Sequence, residues 1–233
     1  MKRSEINQLM QESIDFIQKR SFYLPPFAFW GPDVWKAKGE EVREIVERQL
    51  GWDVTDFGLG DFRKYGLLLF TIRNGDPQNL KTMQGKVYCE KLLIVEEGQI
   101  TPFHFHWKKT EDIINRGGGK LAMQLYNASK DEAFAQSDVT ISIDGTQRTL
   151  KAGSIIELEP GESVTYPSFL YHQFWGVGGK ILVGEVSVVN DDHTDNRFFQ
   201  KIGRFPQVEE DEPILYPLVT EYSRFYRFIR KTI

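Results

Sequence analysis

Short apolar runs broken by turn residues fill the middle of the chain, and they constrain the fold more than any other feature. Runs at 66–73, 87–96, 120–127, 139–143, 146–151, 154–158, 163–166 and 180–189 are rich in strand-forming residues. Between them stand Asn74-Gly75-Asp76-Pro77, Glu97-Gly98, Asp144-Gly145 and Glu159-Pro160-Gly161, and Asp-Gly is the strongest short hairpin signal. Seven or eight such strands, with turns roughly every 8–12 residues, predict a mainly β sandwich or closed barrel.

The flanks read differently. Ile6, Leu9, Met10, Ile14 and Ile17 recur at helical spacing over 4–20, with Ser4 as the expected N-cap. Leu24-Pro25-Pro26-Phe27 and Gly31-Pro32 interrupt regular structure. A second helix is expected over 39–50, stopped by Gly51, and a short third one over 219–230. The first fifty residues are too few to bury a core alone. The chain is therefore expected to form one domain, 1–233, with a helical N-terminal wrap (1–52), a barrel core (66–190) and a C-terminal extension (191–233).

Composition removes several classes of function. The net charge is −4 and neither sign runs in a long block, which argues against a nucleic-acid footprint and against a polybasic membrane surface. The longest apolar runs, such as Leu67-Leu68-Leu69-Phe70, fall far short of the ~20 residues of a membrane helix. The start, MKRSEINQ, turns polar with no secretory h-region behind it. Cys89 is the single cysteine, so no intrachain disulfide is available. A cytoplasmic location is expected, with no nucleic acid and no membrane as partner.

The chemistry concentrates in 98–111. In an extended strand, residues two apart share a face, so His104 and His106 project together. Glu111, beyond an expected bend, can converge on the same point. Two imidazoles and a carboxylate suit a divalent first-row ion, and His172, just past a later strand, is the candidate fourth ligand. Two histidines at this spacing are by themselves more often a polar strand face. Glu111 and the second cluster change the balance, because three of the chain's four histidines would then be ligands. His193 reads as an exposed loop residue. Arg116-Gly117-Gly118-Gly119-Lys120 reads as a tight turn beside the barrel rather than a phosphate cradle, since no Ser or Thr follows the lysine.

These residues carry a resemblance. Gly98-x5-His104-x-His106-x4-Glu111-x6-Gly118 resembles the first cupin motif. Gly161-x5-Pro167-x-Phe169-x2-His172 resembles the second, with Phe169 where that family usually has glycine and Gly176 where it usually has asparagine. The fold implied is a cupin (double-stranded β-helix, or jelly-roll) barrel, which hosts many functions. A closer resemblance covers nearly the whole chain. The blocks 104–119, 171–176, 184–187, 189–192 and 210–213 are similar to the D-lyxose isomerase family of bacterial cupins. That resemblance implies a manganese-dependent aldose–ketose isomerase acting on D-lyxose and D-xylulose, with D-mannose and D-fructose as a second pair. It also implies His104, His106, Glu111 and His172 as metal ligands.

Such a reaction moves a proton or hydride between C1 and C2, with a divalent cation as Lewis acid and a base at the C–H bond. Glu185, mid-strand among apolar neighbours, is the candidate base, and a structural pair with an arginine is the equal alternative. Lys109 is a candidate to steady oxyanion charge or donate a proton; the competing reading is a solvated lysine. Asp191 and Asp192 are candidates for sugar hydroxyls, and Trp107 and Trp175 for a sugar platform or for filling the core. Three other functions stay open. One is an isomerase of a phosphorylated or acidic sugar, which needs basic residues that these strands offer sparingly. The others are a metal-dependent dioxygenase and a non-catalytic sugar-binding cupin. A homodimer is expected, because the helical segment and edge strands offer surface to bury and relatives of this kind commonly pair.

Overall fold

In the computed structural model, which describes residues 1–229, the chain enters through helix α1 (Arg3–Gln18), a 3-10 turn, α2 (Pro32–Ala37), a second 3-10 turn and α3 (Arg43–Glu47). The strands follow as β1 (Gly51–Thr55), β2 (Leu67–Asn74), β3 (Tyr88–Val95), β4 (Thr101–Phe105), β5 (Glu111–Asn127), β6 (Val139–Ile143), β7 (Thr146–Leu150), β8 (Ile155–Leu158), β9 (Ser163–Tyr166), β10 (Leu170–Val188) and β11 (Arg197–Phe198). A short helix, α4 (Asn79–Thr82), links β2 to β3. The antiparallel order is β1-β2-β3-β10-β5-β9-β6-β7, with β8 on β5, β4 on β10 and β11 on β4. This is the mainly β, cupin-type barrel that the turn spacing and motifs predict.

Two long strands shape the barrel. β5 and β10 pair with each other along their length, but each changes its outer partner midway. Residues 111–114 of β5 bond β9, and 121–124 bond β8. The start of β10 bonds β4, and 181–188 bond β3. Each strand thus passes from one layer to the other, and the β5–β10 register shifts where it does so. The bend falls at Gly117-Gly118-Gly119. Gly118 has φ +119°, and a Cβ there would lie 2.1 Å from the Lys180 carbonyl oxygen, so only glycine fits. The segment 116–120, which reads in sequence as a tight turn beside the barrel, is instead the interior of β5. Glycine marks both turns and mid-strand bends, and local pattern does not separate them.

β2 explains its own unbroken apolar run. Leu67 and Leu69 enter the barrel core beside Leu93, Ile113 and Val183. Leu68 and Phe70 face outward onto Ile6, Met10 and Ile17 of α1, with Trp52 and Val54 of β1. A strand buried on both faces loses its polar alternation.

The flanks depart from the expected pattern. The 39–50 helix is a 3-10 turn followed by the short α3, and β1 begins inside the segment read as wrap. α1 starts at Arg3 with Lys2 as N-cap, and the Ser4 hydroxyl donates instead to Asp211 at 2.7 Å. The C-terminal helix is a 3-10 segment, Val219–Arg224, and Arg230 of the expected helix lies outside the described residues.

Arg3 ties the two flanks together. It is fully buried; its Nε donates to Glu210 Oε2 at 2.9 Å and its Nη2 pairs with Glu221. Breaking one side of a buried ion pair strands the partner charge, typically at about 3–5 kcal/mol. Arg3→Met is expected to cost about 3 kcal/mol, the lower end because Glu210 is partly exposed. Denaturant unfolding checks this, and a midpoint equal to wild type would refute it.

Candidate active site

β4, β5 and β10 bring the predicted donors together. His172 stands directly opposite His104 in the β4–β10 pair, and Glu111 opens β5 opposite Ser187 of β10. The nearest ring nitrogens of His104, His106 and His172 all lie within 4.8 Å of one another. Glu111 Oε1 is 3.4 Å from His106 Nε2 and 3.2 Å from His172 Nε2. His106, Glu111 and His172 are each at most 5% exposed.

Backbone carbonyls set the ring orientations. Nδ1 of His104 donates to the Pro102 oxygen at 2.8 Å, that of His106 to Asp195 at 2.5 Å, and that of His172 to Leu170 at 3.0 Å. A carbonyl only accepts, so in each neutral ring the proton sits on Nδ1 and the Nε2 lone pair points inward. His104 Nε2 and His172 Nε2 are 3.0 Å apart. Burial first, then the neighbouring His172 and His106, pull the His104 pKa well below the ordinary histidine value. His106 Nε2 is buried with no hydrogen-bond partner among the described residues. Converging lone pairs repel one another unless a cation lies among them, so this donor set fits a divalent ion.

A second group of charges adjoins the first. Lys109 Nζ lies 2.6 Å from Glu111 Oε2, 2.9 Å from Glu185 Oε1 and 3.3 Å from Asn190 Oδ1. Burial alone would lower the Lys109 pKa, but Glu111, Glu185 and Asp192 outweigh it and hold the ammonium above its ordinary range. Burial likewise opposes ionisation of Glu111, and the Lys109 ammonium beside it overcomes this, so the carboxyl falls well below the usual range. Lys91 Nζ is 3.5 Å from Glu185 Oε1 and 3.6 Å from Asp192 Oδ1. Arg204 Nη2 reaches Asp53 at 2.6 Å and Asp192 at 3.5 Å.

All these groups except Asp53 and Asn190 line one cavity, walled on its apolar side by Phe57, Leu67, Leu69, Phe174 and Phe198. Glu185 is 5% exposed and faces two lysines rather than an arginine. Lys109 is buried, not solvated. Asp192 lines the cavity, but Asp191, Trp107 and Trp175 do not. Asp191 instead accepts from the His193 and Thr194 amides in its own turn, at 3.0 and 3.1 Å. Trp107 is half-buried and donates to Glu132 at 2.8 Å. Trp175 is the neighbour of inward-facing Phe174, and successive strand residues point to opposite faces.

Sequence reasoning missed Lys91, Arg204 and Asp195. Lys91 had a signal, a lysine inside the apolar run of β3, directly opposite Glu185 in the register. Arg204 comes from an irregular segment and had none. Asp195 holds the His106–Lys109 loop: its carbonyl takes His106 Nδ1 and its carboxylate takes the Lys108 and Lys109 amides, both at 3.0 Å. The strands themselves bring one basic residue to the cavity, Lys91, while Lys109 and Arg204 reach it from outside the strands, and each of the three is already paired with carboxylates.

Comparison with known proteins adds to this geometry. A sequence model described as D-lyxose isomerase matches residues 1–222. The chain is 47% identical over 228 residues to the D-lyxose/D-mannose isomerase of Serratia proteamaculans, spanning 97% of this chain and 99% of that protein. It is 46% identical over 228 residues to the D-lyxose/D-mannose isomerase of Escherichia coli O157:H7, spanning 97% and 100%. Among solved structures, the L-ribose isomerase of Cellulomonas parahominis with L-ribose superposes with a TM-score of 0.60 at 15% identity. That match covers 90% of this chain and 98% of the other, and it bears on the fold alone.

Proposed function

The chain belongs to the D-lyxose isomerase family, and from that premise we propose that it interconverts D-lyxose with D-xylulose and D-mannose with D-fructose. The supporting observation is the convergence of three imidazoles and Glu111 in one buried cavity, with Glu185 and Lys109 beside them. His104, His106, Glu111 and His172 would hold a divalent ion, for which we propose manganese. When bound, it supplies Lewis-acid polarisation of the C1 and C2 oxygens.

The remaining steps belong to the chain's own side chains. Glu185 takes the proton from C2 of the aldose and returns it to C1. The proton of the C2 hydroxyl passes to the C1 oxygen, so that the aldehyde becomes a hydroxymethyl group and C2 the carbonyl. Both lysine contacts fall on its Oε1, which leaves Oε2 as the oxygen proposed to face the C–H bond. Lys109, held protonated by three carboxylates, serves as fixed positive charge for the enediolate oxygens rather than as a readily released acid. The apolar wall excludes water from the intermediate.

A phosphorylated-sugar reading gains the three cations and loses them again to their carboxylate partners, so a neutral sugar remains the proposal. A cytoplasmic homodimer completes it, with equilibrium sedimentation as the check on assembly.

The test is incubation of the manganese-reconstituted protein with D-lyxose in deuterated water, followed by proton NMR. D-xylulose carrying deuterium at C1 is expected. No product from either D-lyxose or D-mannose would sink the reading, and turnover only of a sugar phosphate would replace it.

A further inference from the structure

Four buried side-chain atoms lack a hydrogen-bond partner among the described residues, and three of them belong to residues of the candidate active site: His106 Nε2, Thr101 Oγ1 and Arg204 Nη1. Buried polar groups are as a rule hydrogen-bonded, so such a concentration marks where a ligand's polar atoms go. His106 belongs to the metal cluster. Thr101 is assigned no role by the reaction as derived above.

The way Thr101 reaches the cavity is unusual. It lies three residues before His104 on β4, and strict alternation would turn it to the opposite face. Across the pair, however, His172 is opposite His104 while Phe174 is opposite Thr101. Three residues of β4 are therefore spanned by two of β10, a β-bulge with one extra residue, and both Thr101 and His104 line the cavity. Bulges of this kind re-aim a side chain. The aimed group is 3% exposed. Thr55, also on the cavity wall, differs, because its hydroxyl already accepts from the Phe57 amide at 2.8 Å.

We infer that Thr101 is a substrate-binding residue whose hydroxyl, presented by the β4 bulge, hydrogen-bonds a sugar hydroxyl beyond C2. The C1 and C2 oxygens belong at the histidine cluster. Thr101 lies back along the same strand by at most roughly 10 Å, at about 3.3 Å per residue, and so meets the other end of the sugar. The inference rests on the isomerase reading for the identity of the ligand.

The experiment compares wild type, Thr101→Val (same shape, no hydroxyl) and Thr101→Ser (hydroxyl kept). It measures kcat and KM for D-lyxose, and it titrates the manganese-loaded proteins with the pentitol obtained by reducing D-lyxose, which binds without reacting. Thr101→Val is expected to raise KM and the pentitol Kd about tenfold, the size of one net hydrogen bond. Its kcat, bound metal and Tm should stay at wild-type values, and Thr101→Ser should behave as wild type. Unchanged pentitol and sugar affinity in Thr101→Val overturns the inference, as does a loss that comes with reduced metal content or Tm. Should Thr101→Val fail to fold, Thr101→Ala is read by the same criteria. A wild type that binds the pentitol but never turns over sinks the isomerase reading alone, and the titrations still decide Thr101. A wild type that does neither overturns both.

Discussion

Glu185→Gln is expected to lower kcat for D-lyxose about a thousandfold, within the usual range for loss of a positioned acid–base group, while KM moves only a few-fold. The substitution keeps the shape of a side chain that is 5% exposed in the middle of β10. It removes the basic oxygen and a counter-charge to Lys109 and Lys91, whose Nζ atoms lie 2.9 and 3.5 Å from Oε1. Two readouts separate a base from a structural partner. Deuterium exchange from solvent into the substrate, followed by NMR at equilibrium, should slow in proportion to kcat. Metal content should stay at wild type, because Glu185 is outside the group of three histidines and Glu111. A purely structural Glu185 would instead lower Tm with kcat per folded molecule preserved, and that result would end its assignment as base.

His172→Ala should remove tight metal binding and, with it, turnover, by at least about a thousandfold in kcat/KM, the scale on which electrostatic stabilisation of developing charge acts. The argument is geometric. His172 Nε2 is 3.0 Å from His104 Nε2 and 3.2 Å from Glu111 Oε1, so its loss opens the cluster on two sides. The expected result is substoichiometric manganese after dialysis, measured by atomic emission, with activity recovered only at high added manganese. The fold should survive, since Tyr166 stacks on the imidazole at 4.5 Å and can settle toward the space left behind. Because Nδ1 donates to the Leu170 carbonyl at 3.0 Å, His172→Gln is the informative second variant. An amide can keep one of these two contacts and should retain more metal than alanine does. Wild-type metal content in His172→Ala would remove His172 from the ligand set.

Much of the site was legible because its chemistry depends on local periodicity. His104 and His106 share a face through the two-residue repeat of a strand, and Glu185 announces itself as a lone carboxylate among apolar residues. Lys91 carries the same signal, a charge inside an apolar strand, and went unread because a single lysine is common on edge strands. The three substrate candidates that stand outside the cavity share a different cause. Asp191, Trp107 and Trp175 are each next in sequence to a residue that does line the cavity, namely Asp192, His106 and Phe174. In a strand or tight turn, one position changes the direction of a side chain completely.

What the sequence by itself determined is whatever its short-range pattern controls: the class of fold, the strand segments with their Asp-Gly and Pro-Gly turns, the histidine pair with Glu111, and the second histidine downstream. The tertiary structure alone decided which distant segments share the cavity. Arg204 arrives from an irregular stretch to meet Asp53 of β1, 151 positions away. The Asp195 carbonyl orients His106 across 89 positions. The bulge that turns Thr101 inward exists only as a mismatch of register between β4 and β10. The physical reason is that alternation and turn chemistry act over a few residues, whereas register, bulges and buried ion pairs are settled by the packing of both partners at once, and neither partner's sequence contains that information alone.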